Sequence, residues 1–130
     1  MRLYSLALIA AALALPSAAA EAQQDLAAGE QSFKKCLPCH SVGEGATNKV
    51  GPQLNGLEGK KAGTTPEYSY SEANKNSGLV WSEAVFKEYI KNPMGQMPGT
   101  KMAFPGIKNE TEIGNLWAYL KQFGADGKIK

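Results

Sequence analysis

The chain has 130 residues, a formal net charge of +2, 43% hydrophobic residues, two Cys and a single His. That length fits one domain with a modest core, and the near balance of charge argues against nucleic acid as the main partner. Two Cys and one His also fall short of the four protein ligands that a structural zinc site needs.

In chain order, Met1-Arg2 supplies a positive start, Leu3 to Leu15 an uncharged apolar run, and Pro16-Ser17-Ala18-Ala19-Ala20 a small-residue end. This is the pattern of a secretory signal peptide. Cleavage after Ala20 is expected, although Ala20-Glu21-Ala22 has the same spacing and cleavage after Ala22 fits as well. The run is shorter than the roughly 20 apolar residues a bilayer requires, and no second run follows it. Residues 1–20 are therefore expected to be leader, and residues 21–130 one exported, soluble, periplasmic domain. Of the 14 Lys and Arg, Arg2 lies in the leader, so 13 remain against 12 Asp and Glu, a net charge of +1.

Apolar spacing predicts three helices. The first starts at an Asp25 N-cap, runs through Leu26, Phe33, Cys36 and Leu37, and delivers Cys36-Leu37-Pro38-Cys39-His40 at its C-terminal end. The second follows Ser82 as N-cap, with Trp81 and Phe86 in staple positions; Val85, Phe86, Tyr89 and Ile90 form its apolar stripe, and Pro93 stops it. The third begins at Asn109, with Glu112 as in a capping box and Ile113, Leu116, Trp117, Leu120 and Phe123 at helical spacing, and Gly124 as its C′ residue. A shorter turn is expected after Ser71, through Glu72-Ala73-Asn74-Lys75. The stretches 43–66 and 92–106 are rich in Gly and Pro, and no segment alternates with period two, so no sheet is expected. Loops this long are uncommon in a small domain unless they serve a function, such as wrapping a cofactor.

Cys36-Leu37-Pro38-Cys39-His40 has the spacing of a c-type haem attachment site. Two thiols two residues apart reach the vinyl groups on one porphyrin edge, and the adjacent imidazole reaches the iron from one face. A thioredoxin-like redox pair would precede a helix, whose N-terminus depresses the first thiol's pKa; here the predicted helix comes first. A plain disulfide leaves His40 unexplained. His40 is the only histidine, so a second imidazole ligand is ruled out and a Ser-His-Asp triad is disfavoured. Met94, Met97 and Met102 are the methionine candidates for the other axial position, and spacing does not choose between Met97 and Met102.

With Gly51-Pro52-x-Leu54-x-Gly56, Tyr70-x-x-Ala73-Asn74-Lys75, Trp81 and Pro98-Gly99-Thr100-Lys101-Met102-x-Phe104-x-Gly106, the sequence resembles class I c-type cytochromes. These include mitochondrial cytochrome c and bacterial cytochrome c2, and the resemblance runs from about Leu26 to Phe123. It implies an all-α fold, with three main helices, short helical turns and long loops wrapped around one covalent haem. It further implies thioethers at Cys36 and Cys39, axial ligands His40 and Met102, and a Pro52 carbonyl that accepts the His40 ring N–H. Tyr70 and Trp81 match residues that hydrogen-bond a haem propionate, while Asn74, Tyr89 and Thr100 match a network on the methionine side. Gly29, Phe33, Leu116 and Tyr119 match the crossing of the first and last helices. Lys60 departs from the pattern, standing where many members carry Arg, and a lysine lacks the forked donor geometry.

The function implied is electron carriage, not enzymatic catalysis. A filled His/Met coordination sphere favours electron transfer, because the neutral thioether raises the potential. The implied partners of this monomer are membrane redox complexes: a cytochrome bc complex as donor, and a photosynthetic reaction centre, terminal oxidase or denitrification reductase as acceptor. Lys35, Lys49, Lys101 and Lys108 would ring the haem edge as a positive docking patch, and no membrane anchor remains after processing. The alternative is a five-coordinate gas-binding or peroxidatic haem protein in which no methionine meets the iron.

Overall fold

The computed structural model describes residues 24–130, so the expected leader and its cleavage point lie outside the described residues. Five helices occur among those residues: α1 (Leu26–Phe33), α2 (Glu72–Lys75), α3 (Glu83–Lys91), α4 (Pro93–Gln96) and α5 (Glu110–Lys121). None is long and apolar enough to cross a membrane.

Side-chain caps set where the longer helices begin. Asp25 accepts from the Ala28 N–H at 3.0 Å, Ser82 from Val85 at 3.2 Å and Asn109 from Glu112 at 2.9 Å. Each cap satisfies a donor that has no partner inside its helix. Ser71 does the same for α2 through the Asn74 N–H at 3.1 Å. α3 stops at Lys91, before Pro93, but Pro93 also opens α4, a turn the sequence reading leaves as loop; Asn92 accepts from the Gly95 N–H at 3.1 Å to start it.

Two helix ends differ from expectation. α1 stops at Phe33, so Cys36 and Leu37 lie beyond it: the Lys34, Lys35 and Cys36 N–H groups reach back three residues instead of four, to Gln31, Ser32 and Phe33. Pro38 disfavours helical backbone at Leu37. A separate turn follows, in which the Cys36 carbonyl accepts from both Cys39 (3.0 Å) and His40 (2.8 Å). At the other end of the chain, α5 has Gln122 as its C-cap, and Gly124 does not take the positive φ of a C′ glycine. Its N–H donates instead to Lys128 O at 2.8 Å, folding the tail back so that Phe123 bridges Ile129.

α1 crosses α5 at Gly29, where a Cβ would overlap the Asn115 carbonyl; only glycine lets the two backbones come this close. Beside it, the rings of Phe33 and Tyr119 meet at 5.6 Å. α3 packs on the same helix through Phe86 and Trp117, 5.2 Å apart. Trp117, Ile113, Leu116 and Leu120 are each at most 1% exposed. Burial of this kind contributes roughly 1.5–3 kcal/mol per large side chain before the entropy cost of ordering it. The strand-like pairing among the described residues is confined to the isolated bridges Lys61↔Val80 and Phe123↔Ile129. The loops pass over one side of this helical base and form the walls of a cleft.

Candidate functional site

The cleft has a volume of about 280 Å³ and is floored by apolar side chains including Leu57, Phe86, Ile90, Leu116 and Leu120. The turn after α1 places Cys36, Cys39 and His40 on one wall, and the loop after α4 places Thr100 and Met102 in the same lining. Residues more than sixty positions apart in sequence thus share one space.

His40 is oriented from behind. Its Nδ1 lies 2.7 Å from the Pro52 carbonyl oxygen, which only accepts, so Nδ1 carries the proton and donates it there. Nε2 is left with its lone pair free. Burial lowers the His40 pKa, more than the Pro52 carbonyl raises it, so the ring is the neutral imidazole that ligation requires. A Cβ on Gly51 would sit on this ring, 2.7 Å from Nδ1, and the glycine makes room for it.

Cys36 and Cys39 are both unpaired. Burial pushes the Cys36 thiol up to about 11, against a smaller lowering by Lys35. That is opposite to the depressed thiol of a redox pair. No group of three or more His, Cys, Asp and Glu among the described residues could hold a metal ion.

Of the three candidate methionines, Met102 is the one in the cleft. Met97 is core at 3% exposure and Met94 is half exposed. Met102 is held at both ends: its sulfur accepts from the Tyr89 hydroxyl at 3.2 Å, and its N–H donates to Thr100 Oγ1 at 3.2 Å. Trp81 meets the Tyr89 ring edge-to-face at 4.9 Å. Burial pushes the Tyr89 phenol up, with the Thr100 hydroxyl opposing, so Tyr89 stays a neutral donor.

Tyr70, Asn74 and Trp81 also line the cleft. The Tyr70 hydroxyl accepts from the Thr65 N–H at 3.0 Å, and Asn74 Oδ1 is buried with no partner. Such an orphaned acceptor in an apolar cleft signals a polar group that belongs there. Lys60 lies in the lining, its pKa lowered by burial. Lys35 and Lys101 line the cleft, whereas Lys49 and Lys108 fall outside its lining. Lys108 donates to the Lys91 carbonyl at the end of α3.

Sequence reasoning passes over Lys61 and Tyr68, both in the lining. Tyr68 donates to the Val50 carbonyl at 2.7 Å and packs edge-to-face on Tyr70 at 4.7 Å. The two-residue spacing of the tyrosines was the available signal.

The donor set fits a covalent haem: paired thiols, a pre-oriented neutral imidazole, a held thioether and an apolar slot beside them. Such a site within a small helical shell defines a c-type haem protein. The Cytochrome c family model matches residues 26–124. Cytochrome c-550 of Bradyrhizobium diazoefficiens is 70% identical over 104 residues, covering 80% of this chain and 76% of that protein. A cytochrome c2 of Rhodoplanes tepidamans is 63% identical over 107 residues, covering 82% of this chain and all of that protein. Among solved structures, cytochrome cH from Methylobacterium extorquens is similar with a TM-score of 0.70 and 43% identity, over 75% of this chain and 98% of that one. The chain belongs to the cytochrome c family. It is an electron carrier whose cofactor is haem c, held through the Cys36 and Cys39 pair.

Proposed function

We propose that the protein is a soluble periplasmic one-electron shuttle, with His40 and Met102 as axial ligands, working between membrane-bound redox complexes. A cytochrome bc complex is the proposed donor, and a photosynthetic reaction centre or terminal oxidase the proposed acceptor. The observation that carries this reading is that one cleft brings His40 and the Met102 sulfur together beside the two thiols. The haem supplies a one-electron iron couple, and a thioether ligand favours its reduced form.

The chain's own residues orient the groups that would hold the haem. Pro52 fixes the His40 ring and leaves Nε2 as the ligating nitrogen. Tyr89 and Thr100 hold Met102 in place, which limits rearrangement when charge changes. The apolar floor excludes water, and Tyr70, Trp81 and Asn74 are assigned to the polar edge of the cofactor. Lys35, Lys49, Lys101 and Lys108 are assigned to docking on acidic partner surfaces. The leader read in residues 1–20 supports export.

Replacing Met102 tests the reading. The ferric protein is expected to show a weak absorption band near the red end of the spectrum, and Met102→Ala is expected to abolish it while the covalent haem is retained. A band that survives Met102→Ala rules out Met102 as a ligand. A redox titration with purified candidate complexes then ranks the partners.

A further inference from the structure

The four lysines assigned to docking are not equivalent. Lys49 and Lys101 donate to the carbonyls of Leu37 (3.0 Å) and Ser69 (2.8 Å), and Lys108 to that of Lys91. A neutral acceptor orients an ammonium group without cancelling its charge. Lys35 instead donates to a carboxylate, Glu112 Oε1. Of the cations lining the cleft, Lys35, Lys60, Lys61 and Lys101, it alone is in an ion pair among the described residues.

The pair is built so that one side is anchored and the other is free. Ser32, 6% exposed at the α1–α5 contact, donates to the same Glu112 oxygen at 2.8 Å and fixes the carboxylate. The Lys35 side chain stays 52% exposed against 29% for Glu112. The hydrogen bonds from Lys35 and then Ser32 hold the Glu112 carboxyl below its usual range, so it remains ionised at neutral pH. An ion pair this exposed is weak enough for a second carboxylate to replace the first.

We propose that Glu112 is an internal competitor for the carboxylates of a redox partner: it holds Lys35 against α5 and masks its charge until a docking acidic protein takes the ammonium over. This rests on the docking role proposed above for the lysines, and it makes Glu112 a positioning residue for partner recognition. The pairing moderates the cleft's positive field in the free protein and limits association with the wrong anions.

The probes are two small oxidants of opposite charge, hexacyanoferrate(III) and tris(phenanthroline)cobalt(III), acting on the reduced haem-loaded protein at low ionic strength. Glu112→Gln is expected to speed oxidation by the anion about threefold while oxidation by the cation does not rise. Glu110→Gln, the same charge change two residues away in a pair with Lys91, is expected to give clearly less. Glu112→Asp keeps the charge but shortens the reach, and is expected to speed the anion reaction about 1.5-fold or more, a gain that charge alone does not supply. In a Lys35→Gln background, both Glu112 substitutions are expected to lose most of their effect. Equal gains from Glu110→Gln and Glu112→Gln, no gain from Glu112→Asp, or undiminished gains without Lys35 would each overturn the proposal. If the wild type shows no preference for the anionic oxidant, the docking patch itself is refuted; if it exchanges electrons with neither oxidant, the carrier reading is.

Discussion

The α1–α5 crossing and the cleft differ in what their apolar side chains pack against. At the crossing protein meets protein: Gly29 fits against the Asn115 backbone, Phe33 on Tyr119, and Ile113 and Trp117 are almost fully buried. Around the cleft, Cys36, Leu54, Trp81, Met102 and Phe104 are only partly buried against the core cluster. Their remaining surface is assigned to the haem. One region therefore carries its own stability and the other depends on the covalent group, a division typical of a small domain whose core is enlarged by a cofactor.

The harshest test of that division removes attachment. Changing Cys36 and Cys39 together to Ser is expected to leave a product with the mass of bare polypeptide, losing at least about 4 kcal/mol of stability. Amide exchange is expected to accelerate far more at Leu54 and Trp81 than at Ile113 and Trp117. Equal acceleration in both places would show that the two regions form one cooperative unit.

The opposite half is broken by Gly29→Val. A branched side chain overlaps the Asn115 carbonyl, and the loss is expected to be about 3 kcal/mol by denaturant titration, with the haem spectrum unchanged in the folded fraction. A shifted spectrum would show that strain at the crossing reaches the cleft.

Tyr89→Phe probes the seam between them and is expected to cost about 1 kcal/mol through the lost hydrogen bond to Met102. It also alters the alkaline limb. The folded Tyr89 pKa is raised by burial, so its contribution is fully present below the unfolded value near 10 and is lost as pH rises through the higher folded value. Stability above pH 10 should therefore fall less steeply in Tyr89→Phe than in the wild type.

The smallest effect belongs to Glu112→Gln, about 0.5 kcal/mol at neutral pH. Lys35 and Ser32 depress the folded Glu112 pKa below its ordinary 4.5, so its contribution is present above that value and disappears as pH falls through the folded one. An acid unfolding limb as steep in the variant as in the wild type would mean that the pair does not stabilise the fold.

Several parts of this architecture were legible because they depend on neighbours in the chain. Asp25, Ser71, Ser82 and Asn109 cap helices because their short polar side chains reach a backbone donor three residues on, whatever lies further away. The Cys36-x-x-Cys39-His40 spacing is local in the same sense. At Glu112 and Gly124 the expectation failed because distant contacts intervened. Glu112 supplies its backbone N–H to the cap, but its carboxylate reaches across to Ser32 and Lys35, and Gly124 is drawn into the folded-back tail.

By itself the sequence determined a helical chain with a covalent haem motif and one histidine, because helical period, caps and Cys spacing are short-range properties. The family resemblance already implied Met102 as the second ligand and Pro52 behind His40; only the tertiary structure put Met97 in the core, brought Lys61 and Tyr68 to the cleft and tied Lys35 to Glu112. Each of those outcomes depends on which distant segments share a space. That is decided by how the loops pack over the α1–α5 base.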